Sequence, residues 1–294
     1  MKNSKKIVAV LMVTALVVVA SIQTFSSKAD KADSKYDTTL KTSPDLFKQV
    51  REGYNEGDKG PISIVPAKLN SNNSTKDIYL VMLSGTELVA GLGNGVVSDV
   101  QSALDKDNDY LKNIRKVLSK NVPKNTNLVI AGHSLGGMVA QQATGDAAIR
   151  DNYNILNVVT FGSPMIIPKK AEGSVQRLDD ISDIVPYLSE SDDILKNKDN
   201  TPGLNLEDGG YGKKMIKAHC KSYSRDEVWG AYDTLGVKKG TSTIEFNKKD
   251  VKFHKCPSGF FNGRIEDNKD TGAKAKVKKG LQKAVNGFYD ILKK

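Results

Sequence analysis

The stretch NLVIAGHSLGGMVAQQA, at residues 127–143, constrains the fold more than any other part of the chain. An apolar, largely β-branched run stops at Gly132, Ser134 follows, and Gly136 opens an apolar segment typical of a helix. Glycines two residues to either side of a serine leave room for the crowded backbone of a strand-to-helix turn. The pattern therefore predicts a serine on a sharp bend at the carboxyl end of a strand. An ordinary glycine-rich turn is the alternative.

Strand-like and helix-like segments alternate around this turn. The predicted strands are residues 78–83, 128–131, 156–161 and 175–178, and the predicted helices are residues 110–118 and 137–149. Alternation of this kind is typical of a mainly parallel sheet flanked by helices, which is an α/β fold. Near the end of the chain, residues 242–246 and 251–255 have the pattern of a hairpin.

The first 29 residues have the pattern of a secretory signal peptide. Three lysines precede an almost wholly apolar run at residues 7–20, and small residues stand before a cleavage point after Ala29. A retained membrane anchor is the alternative, but the run is shorter than the roughly 18 to 20 residues that cross a bilayer. We expect secretion to the extracellular medium after cleavage near Ala29.

The rest of the chain is expected to form a short leader and one domain. Residues 30–42 are charged and polar without apolar periodicity, which predicts disorder. Residues 43–294 contain no internal repeat and no convincing linker. This domain is expected to begin with a helix that has Ser43 as its N-cap and Pro44 at its first position.

The chain is basic, with a formal charge of +10 at pH 7 that falls to +6 without the first 29 residues. A basic secreted protein is attracted to anionic surfaces such as lipid headgroups. Residues 274–283 carry five lysines beside an apolar helical stripe, which suits an anionic membrane or lipid surface. Docking of that stripe on the protein's own core is the alternative. No nucleic acid partner is expected.

A serine nucleophile needs a base, and three histidines are available. His133 adjoins Ser134 and is expected to pack beneath the turn. His254 alternates within an apparent strand, where a half-buried side chain needs no catalytic role. His219 follows a glycine-rich stretch that can bring it over the sheet, and it is therefore the preferred base.

The base in turn needs a carboxylate, and the chain order of this architecture places it between the serine and the histidine. Asp179, Asp180 and Asp183 follow a predicted strand. Asp183 is preferred because the apolar turn Ile184-Val185-Pro186 fixes the chain after it, whereas Asp179 and Asp180 can be solvated surface charges.

An oxyanion hole needs two donors. The backbone N–H of Leu135, directly after Ser134, is the first candidate. The second is Thr86, in the turn SGTE that follows an earlier strand, where Gly85 allows a close approach of the backbone. Cys220 and Cys256 are the two cysteines, and the sequence leaves open whether they form a disulfide or remain thiols.

Several motifs occur together in one order: SGT at 84–86, GHSLGG at 132–137, TFGSP at 160–164, SDIVPYL at 182–188 and AHCKSY at 218–223. Over residues 78–223 this series resembles the class 3 lipases, a fungal-lipase-like branch of the α/β hydrolases. The resemblance implies an α/β-hydrolase fold and hydrolysis of lipid carboxyl esters. It implies a catalytic set of Ser134, Asp183 and His219 with Thr86 in the oxyanion hole, an acyl-enzyme intermediate, and no metal or organic cofactor.

The chain also departs from the pattern of this family. Ser84 stands where the family often has arginine, and residues 87–100 lack the aromatic residue that is frequent in the helical lid at that place. Two other functions stay open at this point. One is a non-catalytic basic protein that binds a surface, and the other is a serine hydrolase that cleaves a thioester or a peptide bond.

Overall fold

The computed structural model describes residues 35–54, 59–85, 108–167, 171–188 and 201–256. The chain divides after Tyr36, and the elements below belong to the unit Asp37–Lys294. They are β1 (Thr38–Leu40), α1 (Ser43–Arg51), β2 (Ile62–Ser71), β3 (Ser74–Leu83), α2 (Asp109–Asn121), β4 (Thr126–His133), α3 (Leu135–Gly145), α4 (Ala147–Arg150), β5 (Tyr153–Phe161), β6 (Ser174–Asp180), β7 (Leu204–Glu207), α5 (Met215–Lys221), α6 (Asp226–Trp229), β8 (Thr243–Phe246) and β9 (Lys252–His254). Among these elements, no helix has both the length and the apolar character needed to cross a membrane.

One mixed sheet organises the described part of the chain. Its strand order is β1-β8-β2-β3-β4-β5-β6-β7, and β9 also pairs with β2. Strands β3 to β7 run parallel, whereas the pairs on the β2 side are antiparallel. This sheet, covered by helices, confirms the predicted α/β-hydrolase fold. The carboxyl ends of the parallel strands share one edge, which is where this architecture gathers functional side chains.

Two apolar clusters cover the two faces of the sheet. Alternate side chains of β3 separate between them, with Val81 and Leu83 in one cluster and Leu80 and Met82 in the other. Helices α2 and α3 pack on the first face, and α1 and α6 pack on the second. Burial on both faces explains why residues 78–83 of β3 and 128–131 of β4 are apolar at nearly every position.

A tight hairpin turn joins β2 and β3. The strands pair in register from Ile62 opposite Leu83 to Ser71 opposite Ser74. Asn72 and Asn73 form the turn with φ values of 49° and 59°, the left-handed pair that a two-residue hairpin turn requires. Asparagine tolerates this backbone region, so the polar stretch continues both strands instead of separating them.

The prediction that residues 30–42 form a disordered leader is wrong for the last of these residues. Residues 38–40 form β1, which pairs antiparallel with β8, and the Leu40 side chain is buried. Helix α1 has Thr42 as its N-cap, where Ser43 was expected. Thr42 and Asp45 form a reciprocal capping box. A three-residue strand has no periodicity to detect in sequence, and its partner strand lies about two hundred residues away.

The predicted hairpin near the end of the chain is not formed. Strands β8 and β9 both exist, but each pairs antiparallel with the long strand β2 and not with the other. β8 lies opposite residues 68–70 and β9 lies opposite residues 62–64, so they follow each other along the same edge. The ten-residue length of β2 makes this arrangement possible, and nothing local to the two short strands indicates it.

The predicted helix at residues 137–149 is two helices. α3 ends at Gly145, and the Asp146 side chain caps α4 by accepting a hydrogen bond from the Ile149 N–H at 3.0 Å. The predicted signal peptide and the basic segment at residues 274–283 lie outside the described residues.

Candidate active site

Ser134 joins β4 to α3 in a strained backbone conformation, with φ 57° and ψ −128°. Such a conformation costs about 1–3 kcal/mol in a non-glycine residue. A Cβ at Gly132 would overlap the backbone of Gly136, and a Cβ at Gly136 would overlap the carbonyl of Leu83. The glycines therefore permit the close packing that the bend requires. The sharp turn expected from the sequence is present, with Ser134 at the edge where the parallel strands end.

His219 lies on α5 and pairs with Asp183, which follows β6. The two atoms His219 Nδ1 and Asp183 Oδ2 are 2.8 Å apart, and both side chains are almost wholly buried. Asp183 Oδ1 accepts a second hydrogen bond, from the Val185 N–H at 2.9 Å. Because a carboxylate only accepts, Nδ1 of His219 carries the proton and Nε2 keeps its lone pair. Nε2 has no hydrogen-bond partner among the described residues.

Tyr223 also contacts the Asp183 carboxylate. Its hydroxyl donates to Asp183 Oδ2 at 2.7 Å and accepts a hydrogen bond from the Asp180 N–H at 3.1 Å. Burial, with the neighbouring Asp183 charge, raises the pKa of Tyr223 well above its ordinary value, so it remains a donor. The sequence motifs assigned no role to this residue. Its position four residues after His219 is the one signal that could have indicated it.

Asp179 and Asp180 are buried rather than solvated, contrary to the expectation from the sequence. Asp180 accepts hydrogen bonds from the Ser182 N–H and from the Ser222 hydroxyl. None of the described residues forms a well-aligned hydrogen bond with the Asp179 carboxylate, although the backbone N–H groups of Gly162 and Ser163 are close enough to lower its pKa in part. Burial, followed by the negative charge of Asp183, raises the pKa of Asp179 well above its ordinary value. Of the three aspartates, only Asp183 contacts His219 in the described part of the chain.

His133 packs beneath the turn, as expected, and contacts His219 directly. His133 Nε2 lies 3.2 Å from the His219 carbonyl, which can only accept, so Nε2 carries the ring proton and donates it. His133 Nδ1 is then the acceptor for the Tyr54 hydroxyl at 2.6 Å, and the same hydroxyl accepts the Gly85 N–H at 2.7 Å. The two imidazole rings stack with centroids 4.5 Å apart. Burial lowers the pKa of His133 well below its ordinary value, so this ring is neutral.

The loop after β3 lies against Ser134. A Cβ at Gly85 would overlap both the Ser134 Cβ and the Tyr54 hydroxyl. Ser84 anchors the loop because its hydroxyl donates to the Val50 carbonyl at 2.7 Å. The Ser84 carbonyl in turn accepts the Tyr110 hydroxyl at 2.8 Å. Thr86, the predicted oxyanion donor, and the apolar segment 87–100 that follows it lie outside the described residues.

Leu135, the other predicted oxyanion donor, is the first residue of α3. The first N–H groups of a helix have no partner inside the helix and carry its positive partial charge. His254 lies on β9, opposite Ile62, and β2 and β3 separate it from β4. The histidine that meets an aspartate is therefore His219 and not His254.

Cys220 and Cys256 are free thiols, so the disulfide considered from the sequence is not formed in the structure. Cys256 packs against the apolar cluster of α2 and α3, whereas Cys220 follows His219 on α5. Burial raises the pKa of Cys256 to about 12 and also raises the pKa of Cys220. Both groups therefore stay protonated at neutral pH.

Residues 71–195 match the family model described as Lipase (class 3). This segment includes Ser134 and Asp183 and ends before His219. No curated protein matches the chain significantly. Among solved structures, the crystal structure of Lip2 lipase from Yarrowia lipolytica matches with 13% identity and a TM-score of 0.25, over 51% of this chain and 76% of that chain.

Proposed function

We propose that this protein, whose residues 71–195 belong to the class 3 lipase family, is a secreted carboxyl ester hydrolase that acts on lipid esters. Ser134 is the nucleophile, His219 the base and Asp183 the acid of a catalytic triad. The observation that carries this proposal is the pairing of His219 Nδ1 with Asp183, which leaves His219 Nε2 as a buried and unused proton acceptor.

Ser134 attacks the carbonyl carbon of the ester while its hydroxyl proton passes to His219 Nε2. The tetrahedral intermediate collapses, the alcohol leaves with that proton, and the acyl group stays on Ser134. Water then attacks the acyl-enzyme and gives a proton to His219, which passes it to the Ser134 oxygen as the carboxylic acid is released, so the serine hydroxyl is restored. Asp183 holds the imidazole in the required tautomer and stabilises its charged form.

The negative charge on the intermediate needs donors near Ser134. The backbone N–H of Leu135 at the start of α3 is one, and Thr86 is the proposed second. The contact between Gly85 and Ser134 supports the second assignment, because Thr86 is the next residue in the chain. Secretion after cleavage near Ala29 belongs to the same proposal and rests on the sequence pattern of the first 29 residues.

The first experiment measures turnover by the chain without residues 1–29 on soluble p-nitrophenyl esters, a triglyceride emulsion and phospholipid vesicles. We expect the parent to hydrolyse lipid esters and Ser134→Ala to be inactive, with a loss of at least about a thousandfold. His219→Ala should be similarly inactive. His254→Ala is the matched control and should retain its activity, because its ring lies two strands away from β4.

Circular dichroism and the melting temperature of each variant separate loss of chemistry from loss of fold. Turnover retained by Ser134→Ala would contradict the nucleophile assignment. An inactive His254→Ala with an active His219→Ala would contradict the choice of base. If the folded parent hydrolyses no ester but cleaves a thioester or a peptide, the proposed ester substrate is wrong and the protein cleaves that other bond. Silence on all substrates would favour a binding protein.

A further inference from the structure

Helix α5, which carries His219, and the two residues before it carry a concentration of positive charge. Residues 209–225 include five basic residues and no acidic residue. Four of the basic residues are exposed lysines, which we call the lysine face: Lys213, Lys214, Lys217 and Lys221. None of their ammonium groups forms an ion pair or a hydrogen bond among the described residues.

This charge is unfavourable for the helix itself. Lys217 and Lys221 stand four residues apart on α5, where like charges lie on neighbouring turns and repel each other. Arg225, the fifth basic residue, is compensated, because its Nε lies 2.7 Å from Glu227 and its guanidinium lies over the Tyr211 ring at 5.4 Å. The four lysines have no such partner inside the described fold, which leaves their charge available to an anionic partner.

Apolar side chains accompany the lysines on the same element. Ile216 is 37% exposed, which is unusual for a large apolar residue in this protein. Met215, beside it, is half-buried. The two residues precede His219 by three and four positions, so they lie one helical turn away on nearly the same side. Lysines beside exposed apolar side chains are the composition that binds the interface of an anionic bilayer.

We propose that the lysine face docks the protein on an anionic phospholipid bilayer and that its ester substrate is taken from that surface. The first part of this proposal, the docking half, is inferred from the charges and the exposure of the lysine face and Ile216. The second part, the substrate half, rests on the proposed function. Anionic headgroups neutralise the lysines, while Ile216 enters the apolar boundary beneath them. A soluble polyanion fits less well, because it offers Ile216 no apolar partner.

Vesicle sedimentation tests the docking half without catalysis. The probe is phosphatidylcholine vesicles with and without about one-third phosphatidylglycerol, and the protein is the Ser134→Ala chain without residues 1–29, which lie outside the unit Asp37–Lys294. The test variant changes the four lysines of the lysine face to glutamine. The matched control changes four exposed lysines at the opposite end of the sheet: Lys76, Lys116, Lys120 and Lys124.

Each lysine at an anionic surface is worth roughly fivefold in binding, so four should be worth at least about a hundredfold. We expect the lysine-face variant to lose this affinity for anionic vesicles and the control variant to lose much less, although both lose the same charge. High salt should weaken binding of the parent in the same way. Equal losses in the two variants, or a parent that binds neutral and anionic vesicles alike, would overturn the proposal.

A hydrolysis assay with Ser134 intact tests the substrate half. The readout is turnover on anionic vesicles divided by turnover on a soluble ester, and this ratio should fall at least tenfold in the lysine-face variant only. An unchanged ratio in a protein that hydrolyses the soluble ester would refute the inference and leave the proposed function intact. Lysine-dependent binding without hydrolysis of any ester would refute the proposed function and leave the docking surface intact.

Discussion

At the scale of single residues, the buried hydrogen bonds around Ser134 connect parts of the chain that are far apart in sequence. Tyr54 contacts the backbone of Gly85 and the ring of His133, and His133 contacts the backbone and ring of His219. The proposed base and the loop before Thr86 are therefore held by one continuous set of contacts. Among the described residues, no hydrogen bond joins Tyr54 or His133 to the Ser134 hydroxyl or to His219 Nε2, so both act through the groups they position.

Replacement of Tyr54 by phenylalanine tests this connection. The change removes the only side-chain donor that His133 Nδ1 has in the described structure and leaves the Gly85 N–H without its acceptor. An unsatisfied buried hydrogen-bonding group costs about 1–3 kcal/mol, so we expect kcat on a soluble ester to fall about tenfold or more, with a smaller change in KM.

Tyr79→Phe is the matched control, because it removes a hydroxyl from a half-buried tyrosine of β3. We expect its kcat to stay within twofold of the parent, on the order of a few tenths of a kcal/mol. If Tyr54→Phe lowers the melting temperature and leaves kcat unchanged well below melting, the hydroxyl serves the fold alone and does not position the site.

At the scale of elements, the start of the domain is set by pairing and capping together. β1 joins the sheet edge through β8, and Thr42 caps α1 through Asp45. Helix α1 in turn carries Phe47, whose ring contacts the His133 ring edge-on at 5.1 Å. Residues that the sequence pattern assigns to a leader thus support a helix that packs under Ser134.

A chain that begins at Ser43 should therefore be less stable than one that begins at Lys35. The shorter chain loses the helix cap and the burial of Leu40, which together are worth about 3 kcal/mol. The melting temperature should fall by about 6 to 12 °C for a domain of this size. Calorimetry of both chains measures the difference.

Thr42→Ala in the longer chain isolates the cap and should account for about 1 kcal/mol of that loss. Identical melting temperatures for the chains that begin at Lys35 and Ser43 would show that β1 and the capping box contribute nothing, and would restore Ser43 as the start of the domain.

At the scale of the whole molecule, stability depends on pH through buried groups near the sheet edge. The folded-state pKa of Asp179 lies well above its ordinary value, because of burial and then the charge of Asp183. A group of this kind contributes its full stability below its unfolded pKa and loses it as pH rises through the folded pKa. The Asp179 carboxyl should therefore destabilise the fold increasingly above about pH 4.

Asp179→Asn removes this titration while keeping the shape of the side chain. The free energy of unfolding of the parent, relative to this variant, should decrease as pH rises from about 4 to 8, by at most about 1.4 kcal/mol per pH unit. Urea unfolding across this range measures it, with Asp151→Asn as the exposed control. A pH-independent difference between the parent and Asp179→Asn would show that Asp179 does not titrate in this window.

The sequence by itself determined the features that depend on short-range chemistry. The glycine spacing around Ser134 indicated the bend, since only small residues fit where the backbone of one turn meets the next. Apolar periodicity located the strands β3 to β6 and the helices before and after the Ser134 turn, because burial imposes a fixed repeat on each element. The hydrogen bond between His219 and Asp183 was also expected, and the catalytic roles of these residues remain predictions.

Only the tertiary structure decided which distant groups meet. Tyr54 and Tyr223 are far apart in sequence and both reach the site, and β8 and β9 both pair with β2 instead of with each other. The burial of Asp179 and the free thiols of Cys220 and Cys256 belong to the same class. These outcomes depend on how whole elements pack. The local sequence has no periodic pattern that shows which distant residues will be a side chain's neighbours.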